Sequence, residues 1–429
     1  MDHSYLKISK ATEIKNKKDR LIYRFFEILP GALAWLTLIL MISFSFLWPV
    51  PIAIFIILFD VYFFIKTVYL SLHLRIAFGK VRRTMKTDWL QVLRQLPTIK
   101  SWEDIYHLII LPTYKEGEVI IGGSLQALIN SNYPKNKMIV VVAQEERAGK
   151  DFNASVSREL LSKYGNAFLK IAAVEHPANL AGELAGKGSN IAWAGRYAKR
   201  EIIDALGIKY DHVLVSALDV DTIVFPEYFA RLTYVFLTTE NPLRASYQPV
   251  PFYTNNIWEA PSFARVVAFS STFWHTIKQE RMESDTTFSS HSMPLRVLID
   301  VDFWQTNMVS EDSRIFWQCF LRYDGRYQVV PLYYPVSMDA NVAPTFWQTM
   351  ANVYKQQRRW GYGVENVPYF MFGFYKNKAI GLGRKVYLVS TMLERFWSWG
   401  TNAIMIFLLG WLPVIVGGNE FNKTVLSFN

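Results

Sequence analysis

Apolar residues fall into two kinds of block along this chain: very long ones near its ends, and short, regularly spaced ones between. Residues 28–59 carry no charge, with Pro49-Val50-Pro51 in their midst, and the apolar pattern continues to about residue 72. About 20 apolar residues cross a bilayer. Residues 25–72 therefore predict two transmembrane helices joined by a proline turn, since the residue before a proline is pushed out of the helical region. A third uncharged run, 396–418, predicts another membrane helix over 386–418. Between them, strand-length apolar runs at 107–112, 138–143, 168–174 and 213–218 alternate with helical patterns at 119–129, 155–161 and 189–206. Such alternation predicts an α/β domain over 101–363, a mostly parallel sheet with helices on both faces, flanked by the transmembrane helices. Ligands of such sheets bind beyond the carboxyl ends of the strands. The remaining segments read as a basic N-terminus (1–24), a juxtamembrane linker (73–100), an aromatic and glycine-rich interfacial segment lying on the membrane (364–385), and a tail (419–429).

Composition sharpens this picture. The chain is 51% hydrophobic and 16% aromatic, high for a soluble protein. A cleaved signal peptide does not fit, because the first apolar run is too long and lacks a small-residue cleavage site. Lys7, Lys10, Lys15, Lys17, Lys18, Arg20 and Arg24 precede the first predicted span, Arg75, Lys80, Arg82, Arg83 and Lys86 follow the second, and the turn between has none. The positive-inside rule then puts the N-terminus and the middle of the chain in the cytoplasm of a plasma or inner membrane. The net charge of +10 is largely juxtamembrane. Anionic lipid explains it without nucleic acid. The single thiol, Cys319, excludes an internal disulfide and a cysteine-based metal cluster. Asp60 falls within the second predicted span, where a charge needs a partner or a water path; Arg395 is one conceivable partner.

Three polar constellations carry candidate chemistry. Asp219-Val220-Asp221 follows the run 213–218, so a buried strand delivers two carboxylates to its end. Such a pair can hold a divalent cation against a diphosphate, although Asp after a strand also serves helix caps and Asx turns. Ser310-Glu311-Asp312 offers a separate base, or simply acids that favour the start of a helix at 313–321. Gln356-Gln357-Arg358-Arg359-Trp360 places cations beside an aromatic, which also suits a membrane-interface anchor. Upstream, Leu111-Pro112-Thr113-Tyr114-Lys115-Glu116 ends the first strand, and Gly186-Lys187-Gly188-Ser189-Asn190 forms a glycine-rich helix entry. The latter is not a P-loop: Gly182 is one residue too close to Gly186-Lys187, and Gly188 stands where Ser or Thr must ligate magnesium.

In order, DxD, ED and QxxRW resemble the motifs of family-2 glycosyltransferases, most of all the membrane-embedded synthases of cellulose, hyaluronan and chitin. The resemblance spans roughly 20–418, with matched motifs within 111–360. It implies a GT-A fold and inverting transfer of a sugar from a nucleotide-diphosphate sugar, uridine diphosphate being the expected carrier, to a growing polysaccharide. It further implies Mg²⁺ or Mn²⁺ at Asp219 and Asp221, and Asp312 as base with Glu311 and Arg359 in the catalytic set. Pro112, Thr113, Tyr114, Glu116, Lys187 and Asp219 would hold the donor. Gln356 and Trp360 would meet the acceptor, as would Gln248 of Tyr247-Gln248-Pro249, similar to a Q-T-P stretch. Phe288-Ser289-Ser290-His291 takes the place of an F-x-G-S loop, with His291 left out of the catalytic set. One departure is Gln144-Glu145-Glu146-Arg147 where the family has Asp-Asp-Gly-Ser; either glutamate suits the base, and Glu145 is taken into the donor site. Three spans are few for a secretion channel. The alternatives are single-sugar transfer to a polyprenyl phosphate or other lipid, and a catalytically inactive membrane scaffold.

Overall fold

The computed structural model describes residues 4–97, 100–282 and 286–417, and the chain divides into two compact units, Leu74–Gly363 and Asp2–His73 with Val364–Asn429. The first is a mixed α/β unit around one eight-stranded sheet. Its strands are β1 Tyr106–Pro112, β2 Met138–Glu145, β3 Lys170–His176, β4 Val213–Ala217, β5 Ile223–Val224, β6 Ala245–Phe252, β7 Ser292–Pro294 and β8 Gln328–Ser337. They are arranged β3-β2-β1-β4-β7-β6-β8-β5.

The parallel part expected from the alternating pattern is β3-β2-β1-β4. Beyond it the sheet is mixed rather than mostly parallel, because the three-residue β7 runs antiparallel to both β4 and β6, and β5 antiparallel to β8. β6 and β8 are parallel to each other. Ile109, Leu111, Val140 and Val142 point into a core shared with the helices Glu118–Ile129, Lys150–Tyr164 and Tyr228–Thr238. Leu108, Ile110, Ile139 and Val141 alternate onto the opposite face and are equally buried. There the helix Lys187–Ala198 crosses β1, β2 and β3. Cover on both faces is why these strands read as unbroken apolar runs rather than alternating ones. The helix expected over 189–206 starts at Lys187 and passes into a π-helical turn, Lys199–Ile203.

Lys17–Leu47 of the second unit and Pro49–Met85, whose residues from 74 onward belong to the first, are long and apolar enough to cross a membrane, and the bent pair Leu382–Phe407 and Leu409–Gly417, at 54°, would make a third. The first helix starts at Lys17, within the stretch read as a basic tail, where Asn16 caps it by accepting from the Asp19 N–H. The second does not stop near 72 but runs on to Met85, so the segment read as a linker is helical there and again over Trp89–Arg94. The segment read as interfacial, 364–385, contains a helix packed within this unit. Its helix Asn366–Lys376 buries Val367, Tyr369, Phe370 and Phe372. Phe372 meets the Tyr23 ring at 5.3 Å, and the Tyr369 hydroxyl donates to Leu6 O at 3.0 Å. Its aromatics thus find protein partners within the unit. Asp60 is exposed, and among the described residues Lys66 and Glu394 form an ion pair between the apolar helices, at 2.5 Å. Gly418 and the tail 419–429 lie outside the described residues.

Candidate active site

The carboxyl end of β4 and the N-terminus of the helix Lys187–Ala198 bring the first two constellations together. Past Ala217 the chain still pairs with β1, Leu218 N–H donating to Ile110 O at 3.1 Å. It then turns, with Thr222 N–H bonded to Asp219 O at 2.9 Å. The Ser124 hydroxyl pins this turn through Val220 O at 2.5 Å. The Lys187 ammonium lies 2.6 Å from Asp219 Oδ1 and 2.8 Å from Asp312 Oδ2, and 3.2 Å from Ser289 Oγ. Ser289 in turn donates to Asp219 Oδ2 at 2.5 Å. One cation therefore bridges the DxD and ED carboxylates.

Electrostatics follow from this crowding. Burial opposes the Lys187 charge, but Asp219, Asp312 and Glu311 outweigh it and raise its pKa well above the ordinary lysine value. Burial likewise opposes the Asp219 carboxylate, yet Lys187, Ser289 and Arg359 hold it below its ordinary value. Glu311 behaves differently. Burial and the Asp312 charge push it up to about 8, against the pull of Lys187. Its stem packs on Gly188, where an added Cβ would sit 2.9 Å from Glu311 Cβ, so the helix entry must be glycine for these elements to approach.

Asp221 faces another acid. Asp339, just beyond β8, donates its N–H to Asp221 Oδ2 at 3.2 Å, and Asn255 bonds both Asp221 O and Asp339 Oδ1. Burial, then the charges of Asp219 and Asp339, raise Asp221 to about 7. Among the described residues no three His, Cys, Asp or Glu side chains form a metal-ligating group. Magnesium, however, commonly takes only one or two carboxylates, the substrate's phosphates completing its shell. A crowded Asp221–Asp339 pair fits that donor set, because a cation would relieve its repulsion.

The segments expected to hold the donor gather at the ends of β1 and β2. Thr113 N–H donates to Ala143 O at 2.8 Å, extending the register that pairs Pro112 with Ala143. Arg147 lies over the Tyr114 ring at 5.1 Å and is ion-paired with Glu145. A cavity of about 70 Å³ opens here between Glu145, Arg147, His176, Ala178 and Glu183. Glu116 instead accepts from the Tyr114 and Lys115 N–H groups, at 2.8 and 3.2 Å, and so closes its own turn. Gln248 lies on β6, facing the loop before β7. It is 2% exposed, and its amide accepts from Phe288 N–H and donates to Ser289 O, which holds the Ser289 loop.

Gln356 and Trp360 line a second, smaller cavity with Tyr253, Asp339 and Asn341, and Asn341 donates to Gln356 Oε1 at 2.8 Å. Arg359 is exposed on the same helix, Phe346–Gly361, close enough for its charge to act on Asp219. The enclosed His291 has Nδ1 2.8 Å from Phe288 O and 3.9 Å from Asp312 Oδ1. Two contributors escaped the sequence reading. Asp339 follows a strand just as Asp219 does, and the same strand-end logic would have found it. Ser289 was noted only for its place in a loop.

No protein-family model matches the chain, and no curated sequence matches it. Among solved structures, it is similar to the mannosyltransferase PcManGT from Pyrobaculum calidifontis in complex with GDP-Man and Mn²⁺, at 14% identity and TM-score 0.48, covering 84% of this chain and 88% of that one. It is also similar to S. aureus TarS 1-349 in complex with UDP, at 14% identity and TM-score 0.42, covering 70% and 74%. The complex of TarS 1-349 with UDP-GlcNAc likewise shares 14% identity, with TM-score 0.42 over 73% and 79%. Overlaps of this depth define neither family nor substrate.

Proposed function

We propose that this chain is a membrane-anchored glycosyltransferase of the family-2 type, transferring a sugar with inversion from a nucleotide-diphosphate sugar to a saccharide at the membrane. The observation that carries this reading is the Lys187 ammonium lying 2.6 Å from Asp219 and 2.8 Å from Asp312. Groups for the leaving diphosphate and for the attacking hydroxyl thereby share one site at strand ends. In this reading Asp312 takes the proton of the acceptor hydroxyl as its oxygen attacks the anomeric carbon from the face opposite the diphosphate. A single displacement needs no covalent intermediate. Lys187 and Arg359 neutralise the charge that develops on the departing diphosphate. Asp221, with Asp339 and Asp219 near it, would hold Mg²⁺ or Mn²⁺, which supplies further neutralisation of the diphosphate oxygens. Glu145, Arg147 and Tyr114 are the groups offered to the nucleobase. Trp360 offers an indole face to the acceptor sugar.

The test is direct. Membranes containing the full chain are incubated with radiolabelled UDP- and GDP-sugars, with Mn²⁺ or with EDTA, and products are sized. Incorporation from at least one donor, absent in Asp312→Asn, supports the reading. No donor consumption across the panel would sink it and favour the inactive scaffold. A product one sugar longer than a lipid acceptor would replace polymer extension by single addition.

A further inference from the structure

Past the sheet, the carboxyl ends of the parallel strands β6 and β8 run on side by side. Met338 N–H donates to Phe252 O at 2.8 Å, and Asn255 N–H to Met338 O at 3.2 Å. Asn256 and Ala340 then exchange two bonds, at 3.1 and 2.7 Å. Tyr253 stands in this ladder two residues before Asn255, the residue that joins Asp221 to Asp339. Its ring packs on the apolar cluster of Ile257, Ala264, Ala268 and Val353, and walls the smaller cavity with Asp339, Gln356 and Trp360. The body of the side chain is therefore fixed. Its hydroxyl is not: among the described residues it has no hydrogen-bond partner. Other tyrosines of the same unit behave differently, since the hydroxyls of Tyr228, Tyr247, Tyr327 and Tyr334 are all bonded. A hydroxyl partly buried without a bond needs a reason.

The charges around it are those of the site already described. Burial, then the carboxylates of Asp219 and Asp221, raise the phenol well above its ordinary value, against the pull of Arg359 and Lys187. It keeps its proton and stays a donor. Arg359 acts on Asp219 as well, so the phenol, the guanidinium and the strand-end carboxylates lie within reach of one another. A neutral donor held there by apolar packing suits an anion that arrives from outside, because it adds a hydrogen bond without adding to the charge already present.

We propose that the Tyr253 hydroxyl donates a hydrogen bond to the diphosphate of the nucleotide sugar, an inference that rests on the sugar-transfer reading and joins a neutral donor to Lys187 and Arg359. The full chain in nanodiscs is compared with Tyr253→Phe, which keeps the ring and removes only the hydroxyl. Calorimetry measures binding of UDP and of GDP with Mn²⁺. Release of nucleoside diphosphate and sugar incorporation are followed with the donor of the panel that the wild type consumes. The variant should bind nucleotide several-fold more weakly and turn over about 10–100-fold more slowly, the size of a lost hydrogen bond to a charged group. Release and incorporation should fall together. Its Tm should hold, because the hydroxyl has no partner in the free protein to lose. Wild-type binding and turnover in the variant would overturn the proposal. Loss of incorporation with normal release would overturn it too, by giving the hydroxyl to the acceptor, and so would a lower Tm, by showing a structural role. A wild type that binds neither nucleotide would overturn both this proposal and the sugar-transfer reading. One that binds nucleotide but transfers no sugar would refute that reading alone, and the binding comparison would still decide the role of Tyr253.

Discussion

Glu311→Gln tests whether the site is built around a neutral side chain at that position. Burial and the Asp312 charge raise Glu311 from an ordinary 4.5 to about 8, and glutamine copies the protonated form. The sign follows from proton binding. Between pH 4.5 and about 8 the folded chain holds a proton that the unfolded chain releases, so this group's contribution to stability declines as pH rises through that window. The gap from 4.5 to about 8, at roughly 1.36 kcal/mol per pH unit, amounts to at most about 5 kcal/mol. The variant escapes that loss. At roughly 1 °C per kcal/mol for a chain of this length, the wild type should fall behind Glu311→Gln by about 5 °C in Tm between pH 5 and pH 9. Thermal unfolding of the purified protein at the two pH values measures this, beside turnover at pH 7, which the variant should keep. A variant that tracks the wild type at both pH values, or that loses turnover at pH 7, would mean that residue 311 works as an anion and that the reasoning is wrong.

Asp312→Asn should spare donor binding and lower transfer by about 10²–10⁴-fold, the usual effect of removing a general base; calorimetry beside a turnover assay separates the two, and near-normal turnover would remove Asp312 from that role. Asp221→Asn should abolish activation by Mn²⁺ and weaken nucleotide-diphosphate binding in its presence, because a cation loses a charged ligand; full wild-type activity in EDTA would refute the metal assignment. Trp360→Ala should cut sugar incorporation more than release of free nucleotide diphosphate, whereas Arg359→Ala should slow release itself. Equal ratios of the two products in wild type and Trp360→Ala would return this pair to the role of a membrane anchor.

Much of the site's frame was legible in the chain. Strand ends at Pro112 and Ala217 follow from apolar runs that stop at polar residues, and Lys187, Asp219 and Asp312 do converge. What escaped depends on contacts between distant segments. The hold that Gln248 has on two backbone groups of the 288–289 loop, 40 residues away, has no local signal. The shifted state of Glu311 comes from burial against Gly188, which no local pattern encodes. In the second half of the sheet β7 has three residues and β5 two, too short for a period to show, while Pro249 and Pro251 in β6 and Pro331 and Pro335 in β8 interrupt runs that would otherwise read as strands. In the apolar helices, attention to Asp60 hid Lys66, whose partner Glu394 lies 328 positions away.

The single cation between Asp219 and Asp312 carries a kinetic meaning. While Lys187 is shared by both carboxylates, the Asp312 oxygens are engaged with its ammonium, at 3.1 and 2.8 Å. A bound diphosphate would compete for the same ammonium and, by drawing it off, leave Asp312 free. Arrival of one substrate would then arm the site for the other. On this reading the enzyme follows a compulsory order, donor before acceptor, and an acceptor that comes first finds a base already spoken for.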